Sequence, residues 1–237
     1  MNIVGKISNR LHKEWKPKTE TGLLSYHNEF QNIDMSTGKW LVLARTRHML
    51  NDLENVLYAN GMYYRNKFKK AYEKDLYEAV MDWESFRKGK QLNGEQVKRI
   101  SSYMKPDQFS RKRIKEFISD NLYTIGELKL KYGLNTDAVW FESFTAAPEK
   151  QVHYIRKMRK NGEELNQEPR ILLSTIHGVK GGEADNVVLL TDLSKNTQSN
   201  YERYPDDENR LFYVGATRTK NHLHIVRPKD IYKSYRI

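Results

Sequence analysis

The sequence has no cysteine, which excludes disulfide bonds and thiolate metal sites and is typical of a protein in a reducing compartment. It also has no run of about 18 apolar residues, so it offers no candidate for a transmembrane helix. Its first six residues, MNIVGK, lack the apolar stretch of a secretion signal. These absences predict a cytoplasmic protein without a membrane partner.

Positive charge, in contrast, is abundant. The 237 residues include 41 Lys and Arg against 30 Asp and Glu, which is a formal net charge of +11. Between Arg65 and Lys115 there are 15 basic and 7 acidic residues, so this segment alone carries 15 − 7 = +8. A surplus of this size predicts a polyanionic partner, most simply nucleic acid.

Apolar runs indicate where the sheet of the fold should lie. Runs that suit buried parallel strands occur at residues 39–44, 171–173 and 187–190, and residues 222–226 alternate like a final strand. From Arg65 to Glu168 the pattern is helical, and no segment there is rich in β-branched residues.

We therefore predict an α/β fold with a parallel sheet that is flanked by helices. The sheet domain should comprise residues 1–65 and 169–237, and a mainly α-helical subdomain should be inserted over residues 66–168. Local signals support the helices: Gly61 suits a left-handed helix end, and Thr124 begins a capping-box pattern.

The densest chemical signal is residues 174–183, STIHGVKGGE, directly after a predicted strand. Its three glycines allow close backbone approach, and successive N–H groups there can surround an anion. Thr175, His177 and Lys180 add donors that suit phosphate. A tight connection with polar caps explains the same residues, and the segment alone leaves both interpretations open.

Two arginines are predicted at edges of the sheet. Arg45 follows the strand run at residues 41–44, and in open α/β sheets that strand end faces the ligand crevice. Arg218 ends the segment 208–218, ENRLFYVGATR, after a Gly-Ala-Thr break in a predicted helix. An arginine at such an edge can stabilise charge on a transferring phosphoryl group. Either residue, taken alone, is better explained as a solvated surface arginine.

In their order along the chain, these segments resemble the C-terminal half of UvrD/Rep-type superfamily-1 DNA helicases, which is built on the second RecA-like domain. Residues 41–46 are similar to motif IV. Residues 174–183 are similar to motif V, commonly Thr-x-His-x-x-Lys-Gly-x-Glu, and residues 208–218 to motif VI, Arg-x-x-Tyr-Val-x-x-Thr-Arg. The helical insert falls where that family carries a subdomain between motifs IV and V.

The resemblance implies nucleotide contacts for four residues. Arg45 and Arg218 would reach the γ-phosphate of ATP held by a partner RecA-like domain, with Arg218 as the arginine finger. Glu183 would lie near the ribose, and Arg210 would lie at the interdomain cleft with the nucleotide.

The resemblance also implies DNA contacts, because Thr175, His177 and Lys180 would face the backbone of single-stranded DNA. Two departures are visible. Gly182 replaces the usual leucine of motif V, a variant that is similar to phage-encoded members. The insert is shorter than in the large bacterial helicases, which puts its role in duplex contact in doubt.

A helicase motor also needs a P-loop, G-x-x-x-x-G-K-[ST], to bind the nucleotide phosphates and Mg²⁺. None of the three Gly-Lys pairs in the sequence has the required following Ser or Thr. We therefore expect ATP and Mg²⁺ to be bound mainly by an N-terminal RecA-like domain, on a longer protein or a separate chain. The isolated chain should then lack ATPase activity.

The predicted function is thus the C-terminal motor portion of an ATP-dependent helicase in DNA replication or repair, acting on single-stranded and duplex DNA. A non-enzymatic DNA-binding or regulatory module is the alternative, because residues 63–72 interleave aromatic and basic side chains. A Mg²⁺-dependent nuclease is a further alternative, because Asp107 after a proline and Glu127 before Lys129 match a short nuclease pattern. As the capping partner of Thr124, however, Glu127 has a simpler explanation.

Overall fold

The computed structural model of the protein describes residue 7 and residues 21–68, 74–179 and 181–237. The chain forms two compact units, Met1–Lys70 with Glu163–Ile237, and Ala71–Gly162, which we call the sheet unit and the helical unit. The predicted divisions after residues 65 and 168 lie five and six residues from these.

A six-stranded sheet forms the centre of the sheet unit. In chain order its strands are β1 (Leu23–His27), β2 (Trp40–Ala44), β3 (Tyr64–Asn66), β4 (Ile171–Thr175), β5 (Ala184–Leu190) and β6 (Thr219–Val226). In space they follow the order β1-β6-β5-β2-β4-β3, and these pairings are parallel. All five residues of β2 are buried, as is usual for a central strand of a parallel sheet. The sheet confirms the predicted α/β fold.

Helices complete both units. In chain order, the described α-helices are α1 (Met49–Asn60), α2 (Lys74–Arg87), α3 (Gly94–Ser102), α4 (Ile125–Tyr132), α5 (Trp140–Ser143), α6 (Glu149–Lys160), α7 (Lys195–Arg203) and α8 (Pro205–Ala216). Short 3₁₀ helices cover Phe30–Asn32, Arg111–Glu116 and His177–Val179. Helices α2 to α6 lie in the helical unit. Among the described residues, no helix combines the length and apolarity needed to cross a bilayer.

The predicted helix ends are confirmed by their local geometry. Gly61 ends α1 with a φ of 64°, in the left-handed conformation that costs glycine least. Thr124 precedes α4, and its side-chain oxygen accepts a hydrogen bond from the backbone N–H of Glu127 at 3.2 Å. Each cap satisfies a backbone group that the helix itself leaves unpaired.

Neither edge strand is predicted from the apolar pattern. The helical pattern expected from Arg65 onwards is wrong at its start, because Tyr64–Asn66 pair with β4 as an edge strand. Strand β1 pairs with β6 although Leu23 is 66% exposed. Both strands owe their conformation to hydrogen bonds with a distant partner strand, which a local pattern does not contain.

Aromatic side chains form much of the core of the helical unit. Trp83 of α2 packs near Phe86 and near Phe144, with ring centroids 6.2 and 6.1 Å apart. The indole N–H of Trp83 donates to the carbonyl of Ala138 at 3.0 Å, so its polar atom is satisfied inside the core. This unit therefore has a hydrophobic core of its own.

Three histidines lie together on β1 and β6, and we call them the histidine cluster: His27, His222 and His224. Nε2 of His27 is 3.0 Å from Nδ1 of His224, and the rings of His222 and His224 stack with centroids 3.8 Å apart. His224 is 7% exposed. The pKa of His224 is lowered from 6.5 to about 4, chiefly by burial and then by the nearby His222 and His27.

This cluster predicts a loss of stability in acid. His224 stays neutral in the folded chain but binds a proton in the unfolded chain below pH 6.5, so the free energy of unfolding should fall as the pH drops from 6.5 towards 4. A shift of this size corresponds to about 3 kcal/mol. Urea denaturation at a series of pH values measures it. His224→Phe should remove most of the loss, whereas His48→Gln, at an exposed position, should retain it. An unchanged acid loss in His224→Phe would contradict this assignment.

Candidate functional site

Arg45 lies directly after β2, at the C-terminal edge of the sheet. Its Nε donates to the two carboxylate oxygens of Glu208 at 3.0 and 2.8 Å, and its Nη2 donates to Oε1 at 2.7 Å. Glu208 is in the first turn of α8 and is 3% exposed. The contact is therefore a bidentate salt bridge between a guanidinium and a carboxylate, and it is largely removed from water.

Glu208 is the site residue that sequence reasoning missed. Three acidic residues, 206–208, stand in the first turn of α8, where the helix dipole favours negative charge whether or not they bind anything else, and Asp206 and Asp207 are exposed. Glu208, in contrast, is four residues before the buried Phe212 and shares its face of α8. That helical spacing is the signal that separates Glu208 from its acidic neighbours.

A cleft of about 630 Å³ opens beside the Arg45–Glu208 pair. It is lined by Arg45, His177, Asn200, Tyr204, Asp207, Glu208, Arg210, Leu211 and Val214. Arg210 pairs with Asp207 at 3.2 Å, but both side chains are mostly exposed. Three predicted site residues, Arg45, His177 and Arg210, thus meet at one cleft, whose volume suits a small-molecule site.

His177 begins the 3₁₀ turn after β4. Burial lowers its pKa, and the nearby Arg45 lowers it further, whereas Glu208 acts in the opposite direction. A neutral imidazole is the consequence at neutral pH, so His177 can both donate and accept hydrogen bonds in the cleft.

The glycine-rich turn uses its own polar groups internally. Oγ1 of Thr175 accepts from the N–H of Gly178 at 3.1 Å, and the N–H of Gly182 donates to the carbonyl of Val179 at 2.8 Å. Thr175 is also buried. The structure thus agrees with a tight connection for these groups and does not bring the Thr175 hydroxyl to the surface. Lys180 lies outside the described residues.

Gly178 allows this turn to pack closely. A Cβ atom at position 178 would lie 2.8 Å from Oγ of Ser174 and 2.9 Å from Cζ of Phe68. Lys67 donates a hydrogen bond to the carbonyl of Gly178. The turn after β4 is therefore held by contacts to its own strand and to the residues that follow β3.

Arg218 lies at the opposite end of α8 from Glu208. Its carbonyl accepts from the N–H of Ala184 at 3.1 Å, which makes Glu183 and Arg218 neighbours where β5 and β6 begin. Its Nε donates to the carbonyl of Val214 at 3.0 Å. Arg218 does not line the cleft that Arg45 lines. Its side chain extends back along α8 towards Val214, and Val214 is one of the residues that line the cleft.

The structure describes the residues behind the nuclease alternative, and of the aromatic and basic segment 63–72 it describes residues 63–68, whereas residues 69–72 lie outside the described part. Asp107 lies in a turn and Glu127 in the first turn of α4, so they are not on adjacent strands as a nuclease site requires. Tyr64 is buried in the sheet, and Arg47 covers the ring of Phe68 at 4.2 Å. Within the described ranges, no group of three or more His, Asp or Glu side chains is placed to hold a metal ion.

A family model matches about a third of the chain. Residues 150–229 match the family model of the UvrD-like helicase C-terminal domain. The matched range includes the segments 174–183 and 208–218 but not Arg45, which lies earlier in the chain. No curated protein matches the chain.

Proposed function

We propose that the chain is the C-terminal portion of an ATP-driven DNA helicase motor, because residues 150–229 match the family model of the UvrD-like helicase C-terminal domain. One observation carries the proposal. Arg45, from the segment similar to motif IV, is bound directly by Glu208 from the segment similar to motif VI, 163 residues away. Two segments that resemble helicase motifs therefore meet at one cleft, as parts of a shared nucleotide site would.

ATP would bind between this chain and a RecA-like domain that carries the P-loop. Arg45 would bring positive charge from the cleft to the γ-phosphate, where it stabilises the transition state of phosphoryl transfer. Arg210, which lines the same cleft, would contact the rest of the nucleotide. Arg218 and Glu183 lie together where β5 and β6 begin and do not line this cleft, so their proposed nucleotide contacts rest on the motif resemblance. The magnesium ion would be held with the phosphates by the P-loop domain, where it neutralises their charge.

His177 and Lys180 would couple the nucleotide to single-stranded DNA, whereas the buried Thr175 would hold the turn between them through its hydrogen bond with Gly178. The turn that contains His177 follows β4, and His177 lines the same cleft as Arg45. Closure of the cleft around ATP would therefore move this turn relative to the DNA strand. Hydrolysis would release the γ-phosphate contact and let the turn return, which advances the motor along the strand.

The direct test is ATP hydrolysis by the chain mixed with its P-loop-bearing domain. We expect ATPase activity that single-stranded DNA stimulates, and none from the chain alone. DNA binding without stimulated ATPase would instead favour the non-enzymatic module. Metal-dependent DNA cleavage that is lost in Asp107→Ala would favour the nuclease.

The chain alone should bind single-stranded DNA weakly and in a salt-dependent manner. If its basic side chains neutralise about four phosphates, the affinity should fall roughly 50-fold between 50 and 200 mM salt. Fluorescence anisotropy with a labelled oligonucleotide at several salt concentrations measures this slope. An affinity that does not change with salt would contradict an electrostatic contact with the phosphate backbone.

A further inference from the structure

We propose that Glu208 is a positioning residue, which holds the guanidinium of Arg45 so that its free edge faces the phosphates of a bound nucleotide. The inference rests on the proposed function and assigns a role to a residue that the motif resemblance leaves without one. Glu208 itself would touch no substrate and would act through Arg45.

The donors of Arg45 carry the first step of the argument. A guanidinium has five N–H donors, of which Nε contributes one and each Nη contributes two. Glu208 occupies the side formed by Nε and Nη2. Nη1 makes no hydrogen bond to the described residues, so the Nη1–Nη2 edge remains available. That edge is a planar fork that matches two oxygens of a phosphate.

A second arginine of the sheet unit shows the contrast. Arg170 also binds a buried carboxylate through Nε and Nη2, that of Glu163 at 3.1 and 2.5 Å. Its Nη1, however, donates to the carbonyls of Met35 and Gly38, each at 3.1 Å. The Nη1–Nη2 edge of Arg170 is therefore occupied by contacts within the protein, as expected of an arginine with a purely structural role.

Arg45 differs from Arg170 in the surroundings of its free edge. Its side chain is 17% exposed, and it lines the cleft together with His177 and Arg210, two further donors to an anion. Glu208 is more deeply buried than Arg45, so it anchors the pair from the protein side. A fixed side edge and an open fork at a cleft are the geometry of an arginine held ready for an anionic ligand.

The variants Glu208→Gln and Glu163→Gln form a matched pair for the test. Each replaces a buried carboxylate that binds an arginine side-on by an amide of nearly the same shape. Both should lower the free energy of unfolding, because both leave an arginine without its counter-charge. Only Glu208→Gln should affect the nucleotide reaction.

Steady-state kinetics of the chain with its P-loop-bearing domain provide the main readout. Glu208→Gln should lower kcat for DNA-stimulated ATP hydrolysis about 100-fold with little change in KM, since a misplaced guanidinium loses its contact mainly in the transition state. Glu163→Gln should keep the wild-type kcat. The double variant Arg45→Ala/Glu208→Gln should be no slower than Arg45→Ala, because Glu208 acts through Arg45. Equal kcat for the two single variants, or additive losses in the double variant, would overturn the inference.

A second readout keeps this inference separate from the proposed function. In ¹⁵N spectra of the chain alone, inorganic tripolyphosphate should shift the Arg45 guanidinium signals in the wild type and in Glu163→Gln but not in Glu208→Gln. Absence of ATPase in the wild-type mixture would refute the proposed motor function and leave this titration to decide the role of Glu208. A wild-type Arg45 that does not respond, or a Glu208→Gln variant that responds like the wild type, would refute that role.

Discussion

Replacing Arg218 with alanine is expected to lower the DNA-stimulated ATP turnover of the assembled motor about a thousandfold, with little change in DNA affinity. Arginine fingers contribute roughly 10³ to 10⁵ in rate because they stabilise charge that develops in the transition state. Among the residues that the structure describes, the Arg218 side chain hydrogen-bonds to the Val214 carbonyl and the Thr217 hydroxyl, both in its own turn. Its removal should therefore leave the fold intact. The measurement is kcat and the DNA dissociation constant for the same preparation.

Two further variants sharpen this experiment. Arg218→Lys keeps the charge but loses the planar fork, so it should recover only a small part of the lost turnover. Arg227→Ala removes an exposed arginine that directly follows β6 and donates a hydrogen bond to the side chain of Asn28. The kcat and the DNA affinity of this variant should match those of the wild type. Equal losses of turnover and DNA affinity in Arg218→Ala would exclude the arginine-finger role.

Replacing Gly94 with alanine is expected to destabilise the helical unit by about 3 kcal/mol. Gly94 is the first residue of α3, and its backbone lies against the segment that contains Ile118. An added Cβ would lie 2.2 Å from the carbonyl oxygen and 2.6 Å from the carbonyl carbon of Ile118. Because both atoms belong to the backbone, the strain cannot be relieved by a side-chain rotation. Urea denaturation followed by tryptophan fluorescence reports it, since Trp83 and Trp140 are buried in this unit.

Gly126→Ala is the matched control, because Gly126 also lies in the first turn of a helix, α4. An added Cβ there has no atom within 4 Å. This variant should be neutral or more stable by up to about 1 kcal/mol, since alanine favours the helix and restricts the unfolded chain. A Gly94→Ala variant as stable as Gly126→Ala would show that the backbone of Ile118 moves aside at little cost.

Local chemistry explains how much of the fold could be predicted. Runs such as residues 187–190 are apolar along their whole length, which is typical of strands that are buried on both faces of a parallel sheet. Their position as central strands can therefore be predicted from the run itself. Gly61 and Thr124 end or begin their helices through bonds within a few residues. For these elements the information lies within a short window of sequence, and the predictions are confirmed.

The edge strands and the Arg45 pair could not be predicted in this way. Tyr64–Asn66 is a strand because β4 presents its backbone groups, and β4 begins more than 100 residues later. The carboxylate of Glu208 meets Arg45 across 163 residues, and only packing against the buried face of α8 brings the two charges together out of water. Sequence order was enough to identify the motif segments and the type of fold. Which side chains face each other at the cleft depends on contacts between elements that are distant in the sequence. The assembled sheet decides which charged side chains are removed from water and therefore how strongly they attract each other, and neighbouring residues in the sequence do not.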